Sequence, residues 1–178
     1  METLNIGSIA LDFNLPGIDG HNYSLGYFKG GKGFIIIFSC NHCPYVRAYE
    51  NRIKQIQSDF GHKGVAIFAI NSNDSDQYED DSFDNMKTRA EEMAFNFPYL
   101  RDEDQSVAKA YGASHTPEIF LFNSQRKLVF HGKIDDNWRD ESKVVSKYLR
   151  DAVEELIDGK EISVPETFTI GCTIKWKP

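Results

Sequence analysis

Two cysteines, Cys40 and Cys43, lie three residues apart in the stretch SCNHCPYV, which spans residues 39–46. A thiol pair at this spacing can exchange with disulfides, hold a soft metal ion, or pack as two small side chains in the core. The chain contains three cysteines, a number too small and too odd for a disulfide framework. In a reducing compartment, such a close pair is more often catalytic or metal-binding than structural.

The position of the pair favours redox chemistry. Cys40 comes where a predicted buried strand ends and a predicted helix begins, and a helix N-terminus stabilises an anion such as a thiolate. We therefore predict that Cys40 is the attacking thiolate, assisted by a partly protonated His42. One helical turn would return Cys43 beside it, so that Cys43 resolves the mixed disulfide. Pro44 suits the first turn of a helix, where its missing N–H has no partner.

The surrounding pattern predicts alternating strands and helices. Short apolar runs such as FIIIF predict buried strands, and apolar residues that recur every three or four positions predict amphipathic helices. This order predicts an α/β fold in which helices flank a mixed central β-sheet, with parallel pairing early and a hairpin late. The strands are expected at 34–38, 65–70, 118–122 and 127–130, and the helices at 46–60, 83–97 and 145–156.

Both ends of the chain are expected to be extended. Residues 15–26 contain Pro-Gly and Asp-Gly turns and predict an N-terminal β extension. Residues 160–178 are β-rich and predict an extended C-terminal tail that docks on the body. Neither an interdomain linker nor an internal repeat is evident, so residues 1–178 are expected to form one domain.

Composition and charge exclude several classes of function. The formal net charge of −7 disfavours nucleic acid and anionic membranes as partners. The N-terminus lacks the basic start and apolar core of a secretory signal, and no apolar run approaches the roughly 20 residues that span a bilayer. We therefore expect a soluble, cytoplasmic protein, with no resident metal and no cofactor.

Two motif-like stretches are discounted. GYFKGGKG, at residues 26–33, has a glycine where a phosphate-binding loop needs Ser or Thr, and a strand follows it instead of a helix. The acidic stretch 73–84 lacks the central glycine and final glutamate of a helix-loop-helix calcium site. We expect this stretch to be a solvated loop in which Asp81 or Ser82 caps the next helix.

Four segments resemble the thioredoxin-fold superfamily, and within it a peroxiredoxin-like, AhpC/TSA-related branch. They are FSCNHCPYV, YGASHTPEIFLF, GKIDD and the tail IGCTIKW, and the resemblance spans roughly residues 6–176. It implies a thioredoxin-like fold in which the Thr116–Pro117 bond is cis. It also implies that the Thr116 backbone lies against Cys40, where an extended substrate segment can pair with it. Pro117 has no N–H and cannot compete for that pairing.

The chain departs from the peroxiredoxin pattern at two positions. Peroxiredoxins place the reactive cysteine where Cys43 stands and a Thr or Ser where this chain has Cys40. The proline that opens their motif is replaced by Ile36. The resemblance therefore implies a thiol–disulfide oxidoreductase, with a thiol-dependent peroxidase of antioxidant function as the first alternative.

Two further alternatives come from other functional classes. Cys40, Cys43 and either His42 or His115 are suitable ligands for Cu(I) or Zn(II), as in a metallochaperone-like protein. Against this, one Cys-x-x-Cys pair supplies only half of a closed tetrahedral zinc site. A redox-inactive adaptor is a further alternative. It is weaker, because a protein without redox activity would not need both Cys40 and Cys43.

Other residues are expected to modulate the pair. In related oxidoreductases, a histidine directly before the second cysteine is associated with a strongly oxidising cysteine pair. The resemblance therefore implies that His42 stabilises the thiolate, which favours the reduced form and raises the reduction potential. Asn41 and Pro44 belong to the same loop. Cys172 is expected to pack with Ile174 and Trp176, and the alternative is that it reaches the site as a third redox thiol.

The expected partners are protein or small-molecule disulfides and thiols, with peroxide as a further candidate. The sequence leaves open whether the protein is a monomer or a homodimer. His115 is expected to be a loop residue without a function in the reaction. Asp135 and Asp136, in the GKIDD segment, are assigned no catalytic role.

Overall fold

The computed structural model describes residues 2–178, and this range contains nine strands and four α-helices. The strands are β1 (Leu15–Pro16), β2 (Asn22–Tyr23), β3 (Gly33–Ser39), β4 (Val65–Asn71), β5 (Tyr99–Arg101), β6 (His115–Thr116), β7 (Glu118–Asn123), β8 (Leu128–Gly132) and β9 (Cys172–Thr173). The helices are α1 (Pro44–Phe60), α2 (Phe83–Glu92), α3 (Ser106–Tyr111) and α4 (Tyr148–Ile157).

Five strands form the central sheet in the order β5-β4-β3-β7-β8. Strand β3 pairs in parallel with β4, and β4 pairs in parallel with β5. Strand β7 pairs antiparallel with both β3 and β8. This arrangement confirms the predicted mixed sheet and the late hairpin. Strands β1 and β2 form a separate antiparallel pair in the N-terminal extension.

Strand β3 lies in the middle of the sheet and leads into the cysteine loop. All seven of its residues are buried, because both faces of the sheet are covered. Ile35 and Ile37 pack into a cluster that includes buried residues of α1, α2 and α4. Phe34 and Phe38 face the other way and pack with α3 and with aromatic residues of the sheet. Two packed layers therefore fix the end of β3, from which the loop starts.

All three predicted helices are present in the predicted order, but not with every predicted boundary. Helix α2 ends at Glu92 instead of continuing to residue 97, because Ala94 has a φ of +48°, which a right-handed helix cannot accommodate. Its N-cap is Ser82, whose side chain accepts a hydrogen bond from the backbone N–H of Asn85. Helix α4 begins three residues later than predicted. Helix α3 was not predicted, since six residues are too few to show a helical period.

The C-terminal tail, residues 160–178, runs along the body of the domain. Its one regular element is β9, which pairs antiparallel with β6. The remaining tail residues make individual hydrogen bonds to β8, to α4 and to loops of the body. Within residues 2–178, no helix combines the length and the apolar character that a bilayer crossing requires.

A buried ion pair ties the loop after β8 to α1. Arg52 Nη1 lies 2.6 Å from Asp135 Oδ2. The Tyr49 hydroxyl donates to Asp135 Oδ1 at 2.9 Å, and Arg52 Nη1 also donates to the carbonyl oxygen of Asn137 at 2.8 Å. These contacts give Asp135 a structural function.

The Asp135→Ala substitution is expected to lower the free energy of unfolding by about 3–5 kcal/mol, because it leaves the buried Arg52 charge without its partner. The exposed neighbour Asp136 accepts hydrogen bonds from the backbone of Val145 and Ser146. The control substitution Asp136→Ala is therefore expected to cost only about 0.5–1.5 kcal/mol. Urea unfolding followed by circular dichroism measures both losses, and equal losses would contradict the assignment.

Candidate active site

The loop of residues 40–43 joins the end of β3 to the start of α1. Cys43 is the N-cap of α1, with an extended backbone (φ −67°, ψ 123°), and Pro44 opens the first helical turn. The sequence analysis placed Cys40 at the helix N-terminus, and the structure corrects this. Proline is favoured at the first helical position, so the helix starts directly after Cys43 and leaves Cys40 in the loop. The position that favours a thiolate is therefore that of Cys43.

Three sulfur atoms converge beside Thr116. Cys43 Sγ lies 2.8 Å from Cys172 Sγ and 3.2 Å from the carbonyl oxygen of Thr116. Cys40 Sγ lies 3.3 Å from the Thr116 hydroxyl oxygen. Cys40 and Cys43 are buried, with exposed fractions of 2% and 0%, and Cys172 is half-buried. The structure thus brings together four of the residues that the sequence singled out.

Contacts among the three thiols separate their pKa values. Hydrogen bonding with the Cys40 thiol holds the pKa of Cys43 well below its usual range, although burial opposes the shift. Cys172 and the backbone of Val46 lower the pKa of Cys43 further. The hydrogen bond with Cys43 raises the pKa of Cys40, as do burial and the charge of Asp81. Burial, followed by the contact with Cys43, raises the pKa of Cys172. Cys43 is therefore the favoured thiolate of the cluster.

The peptide bond between Thr116 and Pro117 is cis, which confirms what the resemblance implied. The buried carboxylate of Glu118 holds the preceding turn, because its Oε2 accepts hydrogen bonds from the backbone N–H groups of Ser114 (2.7 Å) and His115 (2.9 Å). His115 Nδ1 lies 2.7 Å from Ser114 Oγ, so this ring nitrogen is engaged within its own turn. The turn places both the hydroxyl and the carbonyl group of Thr116 against the thiols.

Asp81 is a site residue that the sequence analysis missed. Its carboxylate is fully buried and accepts a hydrogen bond from the backbone N–H of Asn41 at 2.6 Å. Asp81 Oδ2 lies 2.5 Å from His42 Nδ1. The side-chain amides of Asn71 and Asn73 donate to the same carboxylate at 3.1 Å and 2.8 Å. Asp81 therefore anchors the two residues between the cysteines.

The acidic stretch 73–84 thus differs from the solvated loop that was expected. Asp74 and Asp81 are both buried, whereas residues 76–80 are exposed and Ser82 caps α2, as expected. One signal was available in the sequence. Asn71 ends β4, which is parallel to β3, and Asn73 follows it, and the carboxyl ends of parallel strands meet at the same sheet edge.

One group of metal-type ligands is present in the described part of the chain. Atoms of Cys40, His42 and Asp81 lie within 4.8 Å of one another. The metal hypothesis had instead combined Cys40 with Cys43 and either His42 or His115. The observed group contains a single thiol, and His42 Nδ1 is already engaged by Asp81.

Cys172 also lies elsewhere than expected. Ile174 and Trp176 pack into the large aromatic cluster, whereas Cys172 packs with Cys40, Cys43 and Val46. The predicted packing of Cys172 with Ile174 and Trp176 is therefore wrong. Whether Cys172 is redox-active stays a prediction at this point.

The packing of the Cys40 thiol against Cys43, which lowers the pKa of Cys43, generates a titration prediction. Cys40→Ala removes the donor and is expected to raise the pKa of Cys43, whereas Cys40→Ser retains a hydroxyl donor and is expected to keep that pKa low. The ultraviolet absorbance of the thiolate, measured against pH on the reduced protein, reports the change. If the alanine and serine variants titrate alike, the hydrogen bond is not what lowers the Cys43 pKa.

Comparison with known proteins places this site in a family. Residues 6–131 match the AhpC/TSA family. The chain belongs to the AhpC/TSA family.

Three curated relatives illustrate the range of proteins that this chain is similar to. Thiol-disulfide oxidoreductase ResA of Geobacillus thermodenitrificans is 27% identical over 69% of this chain and 66% of its own length, and ResA of Bacillus subtilis is 32% identical over 72% and 67%. A putative peroxiredoxin of Mycobacterium tuberculosis is 24% identical over 66% and 69%.

Solved structures extend the similarity of this AhpC/TSA-family chain to nearly its whole length. An uncharacterized conserved protein from Geobacillus kaustophilus is 39% identical, with a TM-score of 0.94 over 99% of this chain and 95% of the other. A putative thiol:disulfide interchange protein DsbE from Chlorobium tepidum, 20% identical, has a TM-score of 0.68 over 88% and 98%. These matches confirm the thioredoxin-like fold and the peroxiredoxin-like branch. The chain spans just under two thirds of the length of the first ResA.

Proposed function

We propose that this chain is a thiol–disulfide oxidoreductase whose reaction centre is the pair Cys40 and Cys43. The observation that carries the proposal is the position of Cys43, which caps α1 with the thiols of Cys40 and Cys172 against its sulfur. A stabilised thiolate beside a second thiol is the arrangement that disulfide exchange requires. The similarity to the ResA oxidoreductases supports the same activity.

The reaction consists of two exchange steps. In the first, the Cys43 thiolate attacks one sulfur of a substrate disulfide, which forms a mixed disulfide and releases the other substrate sulfur as a thiolate. In the second, Cys40 loses its proton and attacks Cys43 Sγ, which forms the Cys40–Cys43 disulfide and releases the second substrate sulfur. Two electrons pass to the substrate, and its two thiolates take up the two protons that the pair gives up. An external thiol reverses both steps.

This order exchanges the roles that the sequence predicted. The sequence assigned attack to Cys40 and resolution to Cys43, whereas the helix terminus and the lowered pKa of Cys43 favour attack by Cys43. Cys40 needs a proton acceptor for the second step. Asp81 has a carboxylate oxygen within 4.8 Å of Cys40 Sγ, a separation that His42 or one bridging water can span to carry that proton to the carboxylate.

The substrate class follows from the thiol chemistry, and the substrates proposed are disulfides of proteins or small molecules. Thr116 supplies the backbone edge for an extended substrate segment, and Pro117 leaves that edge without a competing N–H. The cytoplasmic location and the choice between monomer and homodimer stay predictions. Copper or zinc binding also stays a hypothesis, for which Cys40, His42 and Asp81 are the candidate ligands.

The protein is expected to catalyse the reduction of insulin disulfides by a dithiol reductant, measured as insulin precipitation. Cys43→Ser removes the attacking sulfur and is expected to abolish catalysis, while circular dichroism checks that the variant is folded. A Cys43→Ser variant that is as active as the parent protein would contradict the proposed centre.

The pair is also expected to be more oxidising than thioredoxin, whose potential is about −270 mV, because a stabilised thiolate favours the reduced form. His42→Ala is expected to shift the potential to more negative values, since it removes a side chain held beside the cysteines by Asp81. Equilibration with glutathione redox mixtures measures both proteins. A parent potential at or below that of thioredoxin would show that His42 does not have this function.

A thiol-dependent peroxidase is a second candidate, favoured by one observation. Cys43 followed by Pro44 at a helix N-terminus has the position of the reactive cysteine in peroxiredoxins, and a putative peroxiredoxin is among the relatives. Cys40 occupies the place of the threonine that would orient peroxide. Stopped-flow oxidation by hydrogen peroxide separates the candidates. A saturable or near diffusion-limited rate would favour the peroxidase, and a rate like that of a free thiol would favour exchange.

A further inference from the structure

The C-terminal tail occupies the edge of Thr116 on which a substrate segment is expected. Strand β9 pairs antiparallel with β6, so that Cys172 lies opposite Thr116 and Thr173 lies opposite His115. The N–H of Ile174 donates to the carbonyl oxygen of Ser114 at 2.9 Å and continues this ladder. A strand that adds to an exposed edge through main-chain hydrogen bonds is a general mode of peptide recognition. Here the added strand belongs to the same chain.

The tail is anchored directly after this strand. The backbone N–H of Lys175 donates to Asn73 Oδ1 at 2.9 Å, and the carbonyl oxygen of Lys175 accepts from Asp74 N at 2.8 Å. The buried side chain of Gln105 donates to the same carbonyl oxygen at 2.8 Å and accepts from the N–H of Lys177 at 2.9 Å. These bonds use loops that border the site, so they fix where Cys172 lies.

Directly before β9, the tail passes so close to Thr116 that only glycine fits at position 171. A Cβ atom at Gly171 would lie 2.2 Å from the carbonyl oxygen of Thr116, far inside the contact distance. The close approach of the tail to Thr116 therefore requires glycine at position 171. Phe168, only three residues earlier, is 90% exposed and offers a site for a matched control.

The docked tail places the Cys172 sulfur in contact with the Cys43 sulfur. The two Sγ atoms lie 2.8 Å apart, and Cys43 has no exposed surface while Cys172 is half-buried. Cys172 is thus the more accessible thiol of the two. A substrate that reaches Cys43 must do so where Cys172 now lies, beside the Thr116 edge.

We propose that Cys172 is a third redox thiol of this site and that residues 171–174 act as a built-in substrate strand, which delivers Cys172 to Cys43 to form a Cys43–Cys172 disulfide. The inference rests on the proposed function, because it requires Cys43 to form mixed disulfides. It assigns the Thr116 edge two alternative occupants, the tail or an external disulfide-containing segment.

The proposed exchange balances without a further reactant. A substrate disulfide R–S–S–R reacts with the Cys43 thiolate to give Cys43–S–S–R and one R–S⁻. The Cys172 thiolate then attacks Cys43 Sγ, which forms the Cys43–Cys172 disulfide and releases the second R–S⁻. The two thiols lose two electrons to the substrate, and their protons pass to the two R–S⁻ groups. Attack of Cys40 on Cys43 Sγ can then transfer the disulfide to the Cys40–Cys43 pair and free Cys172.

The test uses the full chain with Cys40→Ser, so that Cys172 is the one thiol left to resolve a mixed disulfide at Cys43. The reduced variant is treated with oxidised glutathione and digested without reduction, and mass spectrometry identifies the linked peptides. We expect a Cys43–Cys172 link and no retained glutathione. The double variant Cys40→Ser/Cys172→Ser is the control, and it is expected to retain glutathione on Cys43.

The outcomes separate the two proposals. Glutathione that stays on Cys43 while Cys172 remains a free thiol in the Cys40→Ser variant overturns the function of Cys172 but leaves disulfide exchange at Cys43 intact. The absence of any glutathione adduct or link in both variants contradicts disulfide exchange at Cys43 itself, and the tail proposal with it.

A second substitution tests the docked strand rather than the sulfur. Gly171→Val keeps all three cysteines but cannot make the close approach to Thr116, so in the Cys40→Ser background the Cys43–Cys172 link is expected to be lost. Alkylation of reduced Cys43 by iodoacetamide is expected to become faster than in the parent. Phe168→Ala is expected to change neither result. Unchanged link formation in the Gly171→Val variant would overturn the substrate-strand proposal.

Discussion

The site depends on one constraint: the sulfur of Cys43 is held between the N-terminus of α1 and the thiol of Cys40. The helix terminus provides the position, because Cys43 is the N-cap and Pro44 opens the helix. The thiol of Cys40 provides the largest stabilisation of the Cys43 thiolate. Burial works against that thiolate, so without these two groups the sulfur would remain a neutral, unreactive thiol.

Several elements of the fold serve to keep this arrangement in place. The packed centre of the sheet fixes the end of β3, and the buried carboxylate of Asp81 fixes the loop through Asn41 and His42. On the opposite side, Glu118 organises the turn that presents Thr116. The charge of Asp81 has a second effect, because it raises the pKa of Cys40 and so helps to leave the proton there and not on Cys43.

The C-terminal tail covers the Thr116 edge of this dithiol site. A substrate edge that is already paired with β9 cannot accept another strand until the tail leaves. The proposed exchange with external disulfides is therefore expected to depend on the position of the tail. The docked tail brings three cysteines of one chain to this site, one on the loop, one at the helix terminus and one on the added strand.

The sequence was sufficient for the fold and for most of the residues of the site. Continuous apolar runs predicted the central strands, and helical periods predicted the long helices. The Cys-x-x-Cys motif located the cysteine loop, and the Thr-Pro motif located the turn that faces it. The sequence could not show where α1 begins, because Pro44 allows a start on either side of it, and the helix start is what decides which cysteine lies at the helix terminus. Asp81 and Cys172 were misplaced because their contacts cross 39 and 129 positions of the chain, and neither periodicity nor composition reports such contacts.

The central claim is that Cys43, not Cys40, is the reactive thiolate. Two single-cysteine variants test it directly: Cys40→Ser/Cys172→Ser retains Cys43, and Cys43→Ser/Cys172→Ser retains Cys40. The rate of alkylation by iodoacetamide is measured for each variant from mildly acidic to alkaline pH. The account predicts that the variant with Cys43 already reacts at mildly acidic pH and that the variant with Cys40 reacts only at alkaline pH. The reverse order of reactivity would contradict it.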